Sequence, residues 1–214
     1  MASKHKINVL IVDDHAIFRE GLKMILSDTP EIHVAGEAGS SGEALKLARE
    51  NTYDMALLDI SMPDRDGLET LALLKKEQPK LKVLMLSMHR ETKYAVRAIK
   101  TGAAGYLNKQ SAPAQLVNAM REVAAGRKYI SPEVAHELAS LISGENEAPP
   151  HESLSNREYQ TLCMIASGKT VSAIAEELCL SVKTVSMYRT RLLEKMRLKN
   201  NAELTHYAIR HGLV

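Results

Sequence analysis

Tyr53-Asp54-Met55-Ala56-Leu57-Leu58-Asp59, followed at once by Ile60-Ser61-Met62-Pro63, is an apolar run that ends in a carboxylate and a proline-marked turn. A short aliphatic run of this kind reads as a strand buried on both faces, which is the signature of a parallel sheet. Ile7-Asn8-Val9-Leu10-Ile11-Val12 repeats the pattern and ends in the adjacent carboxylates Asp13 and Asp14. Open α/β sheets bind ligands at the carboxyl ends of their strands, so Asp13, Asp14 and Asp59 are expected in one crevice. At ~4 Å and an effective dielectric near 20, each like-charge pair costs roughly 4 kcal/mol. Such a cluster calls for a divalent cation or a shared proton.

Outward from these two strands the chain alternates. Further aliphatic runs lie at 32–37, 82–86 and 103–107, between helical patterns near 16–27, 41–51, 67–77, 91–100 and 113–125. Five strand–helix units predict a doubly wound, five-stranded parallel sheet with helices on both faces, here assigned to residues 1–127. Pro30, Pro79 and Gly102 punctuate the units, and Pro113 opens the last helix. Ser131-Pro132 starts another helix, with Val134, Leu138, Leu141 and Ile142 on its apolar face, that runs to Gly144. Glu145 to His151 holds two prolines and no periodic apolar residue, and reads as an exposed connection. Residues 128–150 are thus expected to be a helical linker.

From residue 151 to 214 the pattern is all-α, with four helices. Ser155-Asn156-Arg157-Glu158 is a capping box that opens a helix to about Ser167, and Thr170 caps a short one through Leu178. Cys179 and Leu180 form a turn, Ser181 caps a third helix to about Met196, and a fourth runs from Asn201 to His211. Two short helices joined by a tight turn, the second of them basic, are the pattern of a helix-turn-helix.

Composition narrows the function classes. Hydrophobic residues make up 45% and charged residues 25% of the 214, as in a globular protein, while aromatics are only 4%, so the cores must be aliphatic. The net charge of +2 hides a local excess: six Lys/Arg lie between Lys183 and Lys199, opposed only by Glu194. Cys163 and Cys179 show no metal-ligand spacing and read as buried thiols of a reducing compartment. The first residues lack the apolar segment of a secretory signal, and no run of ~18 apolar residues could span a membrane. A cytoplasmic location and no membrane partner are expected.

The remaining strand ends complete a pocket. Run 82–86 leads to Ser87, and run 103–107 is followed by Lys109. All parallel strands end at one mouth, which would then hold Asp13, Asp14, Asp59, a hydroxyl and an ammonium. Mg2+ suits such a set, since it takes oxygen ligands from one or two carboxylates and completes its shell with water and phosphoryl oxygens. The chemistry this fits is attack by Asp59 on an activated phosphoryl group, with Lys109 and Ser87 on the transferring oxygens. A phosphohydrolase would use the same metal and nucleophile. No second acid–base group stands near Asp59 in the sequence, so multiple-turnover enzyme chemistry is not expected.

Residues 7–126 resemble a CheY-like response-regulator receiver domain, in Asp13-Asp14, Asp59 with Met62-Pro63, Ser87, and Ala104-Gly105-Tyr106-Leu107-Asn108-Lys109. The resemblance implies that Asp59 is the phosphoacceptor, supplied by a phosphohistidine on a sensor histidine kinase. It implies that Asp14 ligates Mg2+ directly and Asp13 through water, with Asp59 and the Ser61 carbonyl as further ligands. Ser87 and Tyr106 would be the switch pair, although Tyr106 also reads as a half-buried strand aromatic. Gln110 stands where many receivers have proline, which leaves open whether the Lys109–Gln110 bond is cis. Ser61 and His89 occupy the variable positions beside the pocket.

Residues 152–214 resemble the LuxR/FixJ-type DNA-binding domain, in Leu154-Ser155-Asn156-Arg157-Glu158, Gly168-Lys169, Ile174 to Leu178, Ser181 to Val185, and Ala208 to Leu213. On the third helix Val182, Val185, Leu192 and Leu193 are expected inward. The resemblance implies that Ser186, Met187 and Thr190 face base edges, and makes Lys183, Thr184, Tyr188, Arg189 and Arg191 candidates for phosphates. Helix 201–211, with Ala202, Leu204, Ala208 and Ile209 on an apolar face, would form a dimer contact or pack within the domain. The whole chain then reads as a phosphorylation-gated transcription regulator of a bacterial two-component system. Its expected partners are the kinase, double-stranded DNA, a second copy of itself and RNA polymerase. A constitutive DNA binder with an inert receiver is the rival, and the intact acid–hydroxyl–lysine set speaks against it.

Overall fold

The computed structural model describes residues 6–88, 92–142 and 149–214. The chain divides into two compact units, Met1–Leu138 and Ala139–Val214.

In the first unit β1 (Ile7–Val12), α1 (Ala16–Ser27), β2 (Ile32–Ala38), α2 (Ser41–Glu50), β3 (Met55–Asp59), α3 (Gly67–Glu77), β4 (Lys82–Ser87), α4 (Thr92–Thr101), β5 (Gly105–Asn108) and α5 (Pro113–Ala124) alternate as expected. The strands form one five-stranded sheet in the order β2-β1-β3-β4-β5, and every pairing is parallel. The chain goes from β1 to one side and then returns to the other, so the gap between β1 and β3 is the switch point where such sheets bind ligands. Successive side chains alternate between faces. Val9, Ile11, Leu57, Leu84, Leu86 and Leu107 pack with Leu22 and Leu26 of α1 and with Leu116, Met120 and Val123 of α5. Leu10, Val12, Leu58, Val83 and Met85 are equally buried on the opposite face. Both faces being covered is why these strands read as unbroken aliphatic runs.

Register, more than strand length, makes the pocket. Val12 pairs with Leu58, which brings the following residues, Asp13 and Asp59, to the same level. Asp59 is the last residue of β3 and pairs with Leu86, while Ser87 pairs with Asn108, just before Lys109. Two strands start later than expected. β3 starts at Met55 rather than Tyr53, and β5 at Gly105 rather than Ala103. In the second case the end of α4 uses those residues: Gly102 takes φ +108, and the Ala103 N–H donates to the Ala98 carbonyl at 2.9 Å. Glu91 and His89 lie outside the described residues.

Helix α6 (Pro132–Ile142) begins where expected, with the Ser131 hydroxyl accepting from the Val134 N–H at 3.3 Å. Val134 is buried and Leu138 half-buried. The side chains of Leu141 and Ile142, and residues 143–148, lie outside the described residues.

The second unit is all-α: α7 (Asn156–Ala166), α8 (Val171–Glu177), α9 (Val182–Met196) and α10 (Asn201–Arg210). The capping box at Ser155 and Glu158 is present, and Thr170, Ser181 and Asn200 each accept from the N–H three residues on. Tyr159, Leu162, Ile174, Val185, Leu192, Leu204, Ala208 and Leu213 form a core without exposed surface.

Four expectations fail here. The segment up to His151 does not stay exposed: Pro150–Ser153 forms a 3-10 turn, and His151 is buried with its Nδ1 2.8 Å from the Tyr207 hydroxyl. Tyr159 and His211 complete that ring cluster. Cys179 is exposed, because it occupies the tight turn itself, with φ +52. Val182 is half exposed, since the first turn of α9 carries no buried residue and the core begins at Val185; Met196 closes the stripe instead. On α10 only Leu204 and Ala208 are buried. Ala202 and Ile209 are exposed and, seven residues apart at about 100° each, share a separate outward face.

Candidate functional site: an acidic pocket and a basic helix

At the carboxyl mouth of the sheet, Lys109 bridges two buried carboxylates. Its Nζ lies 2.6 Å from Asp13 Oδ2 and 2.9 Å from Asp59 Oδ2, with both acids 1% exposed. The ammonium is also 4.6 Å from the ring centroid of Phe18, which closes one side of the pocket. The backbone N–H of Lys109 donates to the Ser87 carbonyl at 2.8 Å, so β4 sets the height of the lysine. Burial pushes the Asp59 carboxyl above its ordinary value; the Lys109 ammonium opposes this, Asp13 adds to it, and the Ser61 N–H opposes it.

Asp14 is half-buried beside this pair. His15, which the sequence reading passed over, has its Nδ1 2.9 Å from Asp14 Oδ1 and 3.2 Å from Asp13 Oδ1, and its N–H donates to Asp13 Oδ1 at 2.9 Å. Arg19 Nη1 donates to the Asp13 carbonyl at 2.6 Å. Among the described residues, Asp13, Asp14, His15 and Asp59 can each offer one ligand atom within 4.8 Å of the other three. Ligands of an octahedral cation at ~2.1 Å from the centre stand about 3 to 4.2 Å apart, so a bound cation would draw the carboxylates of this cluster slightly together. The Asp-Asp-His run was the signal available in the sequence, three ligand-type residues directly after a strand.

Ser87 is buried, and Ser61 and Tyr106 are half-buried. No cis peptide occurs among the described residues, so Lys109–Gln110 is trans. Gly67 is the hidden constraint. A Cβ there would collide with the Asp59 carbonyl oxygen, and would lie 2.7 Å from Ile60 Cα. Glycine at this position lets α3 start against the end of β3, with Asp66 Oδ1 accepting from the Leu68 N–H at 2.7 Å.

The basic helix α9 follows a seven-residue α8 and a tight turn closed by Leu180 N–H to Ala175 carbonyl at 2.8 Å. Lys183, Ser186, Met187, Thr190 and Arg191 are exposed on it. Thr184, Tyr188 and Arg189 are half-buried: Thr184 Oγ1 lies 2.8 Å from Ser181 Oγ, and Arg189 Nε donates to Asn201 Oδ1 at 2.6 Å. The candidate DNA face is therefore narrower than the sequence reading allowed. Its back is fixed to the domain by Lys195, whose Nζ donates to Glu158 Oε2 at 2.6 Å.

A doubly wound sheet with an acid–lysine cluster at its switch point, joined to a helix-turn-helix unit, defines a class: regulators that couple a receiver fold to a DNA-binding head. Comparisons with known proteins agree with it. The response regulator receiver domain matches residues 9–121, and the luxR family of bacterial regulatory proteins matches residues 152–208. The chain belongs to the response-regulator family, with a receiver domain followed by a LuxR-type DNA-binding domain. It is 43% identical over 208 residues to the response regulator UvrY of Escherichia coli K12, covering 97% of this chain and 95% of that one. It is 41% identical over 209 residues to the response regulator GacA of Pseudomonas aeruginosa, covering 97% and 98%. Among solved structures, RcsB of Salmonella enterica serovar Typhimurium, bound to promoter rprA in the presence of the phosphomimetic BeF3-, is 25% identical with TM-score 0.64, covering 95% of this chain and 98% of that one. Among the described residues no helix is long and apolar enough to cross a membrane.

Proposed function

We propose that Asp59 is the phosphoacceptor of a two-component switch and that its phosphorylation raises the affinity of α9 for DNA. The observation that carries this is the convergence of Asp13, Asp59 and Lys109 within 2.6 to 2.9 Å contacts at the strand ends. Stability alone is a weak reason for such a pocket, since neutral packing is often as good as a buried ion pair, whereas buried, perturbed acids cluster at functional sites.

In this reading an Asp59 carboxylate oxygen attacks the phosphorus of a phosphohistidine on a sensor histidine kinase. The P–O bond forms as the P–N bond breaks, and the departing imidazole takes up a proton. Lys109 turns from the carboxylates to the transferring oxygens, and the Ser87 hydroxyl binds them from β4. Asp13, Asp14, Asp59 and the Ser61 carbonyl would hold Mg2+, with His15 beside them. The metal, when bound, offsets charge on the carboxylates and on the transferring oxygens. Tyr106 follows the Ser87 hydroxyl inward. No turnover beyond this self-phosphorylation and its hydrolysis is assigned.

On the DNA side, Ser186, Met187 and Thr190 read base edges in the major groove, while Lys183 and Arg191 bind phosphates. Thr184, Tyr188 and Arg189 contribute through the groups left exposed. A homodimer on two half-sites about one helical turn apart fits the exposed face of Ala202 and Ile209 on α10. RcsB, the relative solved on promoter DNA with a phosphomimetic, supports this state. The division into a receiver (1–127), a connecting segment (128–150) and a DNA-binding domain (151–214), a cytoplasmic site of action and contact with RNA polymerase belong to the same reading. Mg2+-dependent labelling by acetyl phosphate, mapped by mass, tests it. Label on Asp59 with a gain in operator affinity is expected, and an Asp59→Asn chain that keeps the gain would sink it.

A further inference from the structure

After α5 the chain turns back onto the sheet. Gly126 takes φ +83, and the Arg127 N–H donates to the Glu122 carbonyl at 3.0 Å, which closes the helix. Tyr129 then forms a parallel bridge with Gly105. The Tyr106 N–H donates to the Tyr129 carbonyl and the Tyr129 N–H to the Ala104 carbonyl, both at 3.0 Å. Lys128 donates its ammonium to the Ala103 carbonyl. This short strap covers the β5 edge of the sheet, a row of backbone groups that other contacts must otherwise satisfy. Gly105 admits it: a Cβ there would stand 2.8 Å from the Tyr129 carbonyl oxygen and 3.0 Å from its Cβ, and 2.9 Å from Leu84 Cδ1, a flexible tip that can give way more easily than the strap's backbone.

Tyr106 and Tyr129 also line one cavity of about 670 Å³, together with Ser131, Pro132, Glu133 and Val134 at the start of α6. The residue assigned to the switch and the segment that follows α5 are thus joined by backbone bonds and share the lining of one cavity.

We propose that the pairing of Tyr129 with β5 is a release catch: it holds the connecting segment in the unphosphorylated chain, and inward rotation of Tyr106 frees it. The inference rests on the roles given above to Asp59 and Tyr106, and supplies the step by which the pocket acts on the rest of the chain. When the ring of Tyr106 turns toward Ser87 it leaves the cavity wall, and water gains access to the two backbone bonds beside it. Each such bond has a modest net worth against solvent. The side chain of Tyr129, half-buried against the core, adds to the hold, and a catch of this size is within the range that a bound ligand can shift.

The test uses the full chain with Mg2+ and beryllium fluoride as phosphoryl mimic. Amide exchange at Tyr106 and Tyr129 is expected to speed up roughly tenfold or more on adding the mimic, with Leu10 in β1 unchanged. The Gly105→Ala chain, its strap displaced, is expected to bind DNA without the mimic roughly tenfold more tightly than wild type does. The probe is a duplex selected from a random pool with mimic-loaded wild type. Unchanged or slower exchange at Tyr129 overturns the catch, as does a folded Gly105→Ala chain that keeps the wild-type dependence or loses affinity. If that variant does not fold, the wild-type exchange decides. A wild type that gains no DNA affinity with the mimic overturns the reading of Asp59 and the catch with it. A gain without faster exchange at Tyr129 sinks the catch only.

Discussion

The ammonium of Lys109 stands 2.9 Å from the Oδ2 of Asp59, and 2.6 Å from that nitrogen lies a second buried carboxylate, Asp13. One cation therefore serves two acids that have little water. Removing one partner of a buried ion pair leaves an uncompensated charge and costs about 3–5 kcal/mol. Lys109→Met is expected to lower the stability of the receiver by that amount in EDTA, read by urea unfolding of the full chain. Part of the loss should return with Mg2+, because a divalent cation offsets the same carboxylates. Equal loss with and without Mg2+ would mean that the lysine and the metal do not share this site.

Asp59 also makes stability depend on pH. Its folded-state pKa is raised, mainly by burial, above the ordinary value of 3.8. Between that value and the raised one the folded chain binds more protons than the unfolded chain, so stability rises as pH falls through this window. In metal-free buffer Asp59→Asn should be more stable than wild type at neutral pH, and the gap should narrow as the pH drops toward the ordinary value. A gap that stays constant with pH would place the shift elsewhere.

Much of the receiver was readable because parallel strands buried on both faces leave aliphatic runs, and acids at their ends stand out. Asp13, Asp14 and Asp59 stand out this way, Ser87 and Lys109 follow from the ends of two further runs, and the structure brings Lys109 into contact with Asp13 and Asp59. What periodicity does not carry is backbone geometry. Gly67 and Gly105 matter through the space that a Cβ would fill, which depends on neighbours distant in sequence or across the sheet. His15 has no periodic signal, and only its place directly after Asp13-Asp14 marks it. Cys179 and Val182 are apolar yet exposed, because a tight turn and a first helical turn project outward. His151 went the other way: two prolines imply an open connection, yet a hydroxyl on α10 and the ring of Tyr159 bury it.

The DNA-binding unit has its own acid-sensitive contact. Burial pushes the Glu158 carboxyl up, but the Lys195 ammonium and the Ser155 N–H outweigh it, and the group lies below its ordinary 4.5. A depressed carboxyl contributes stability that is complete above the unfolded value and is lost as pH falls through the folded one. Glu158→Gln is expected to cost about 1.5–3 kcal/mol at pH 7, typical of hydrogen bonds to a charged group. That cost should shrink below about pH 4 by the same linkage. Thermal unfolding of wild type and variant across pH 3 to 7 checks both the size and the direction.

Salt dependence separates phosphate contacts from base contacts on α9. Each phosphate neutralised by Lys or Arg contributes roughly 0.9 to the slope of log affinity against log salt. Lys183→Ala and Arg191→Ala, both exposed, should each flatten that slope by about one without altering sequence preference. Ser186→Ala and Met187→Ala should leave the slope unchanged and relax the preference at one base pair each, since they carry no charge. Arg189 is a mixed case, because its Nε already donates to Asn201 at 2.6 Å. Arg189→Ala should lower the stability of the helical unit as well as the slope, while Asn201→Ala should lower stability only. If Lys183→Ala and Arg191→Ala leave the slope intact, α9 does not lie against the phosphates, and the basic stretch is an ordinary solvated surface.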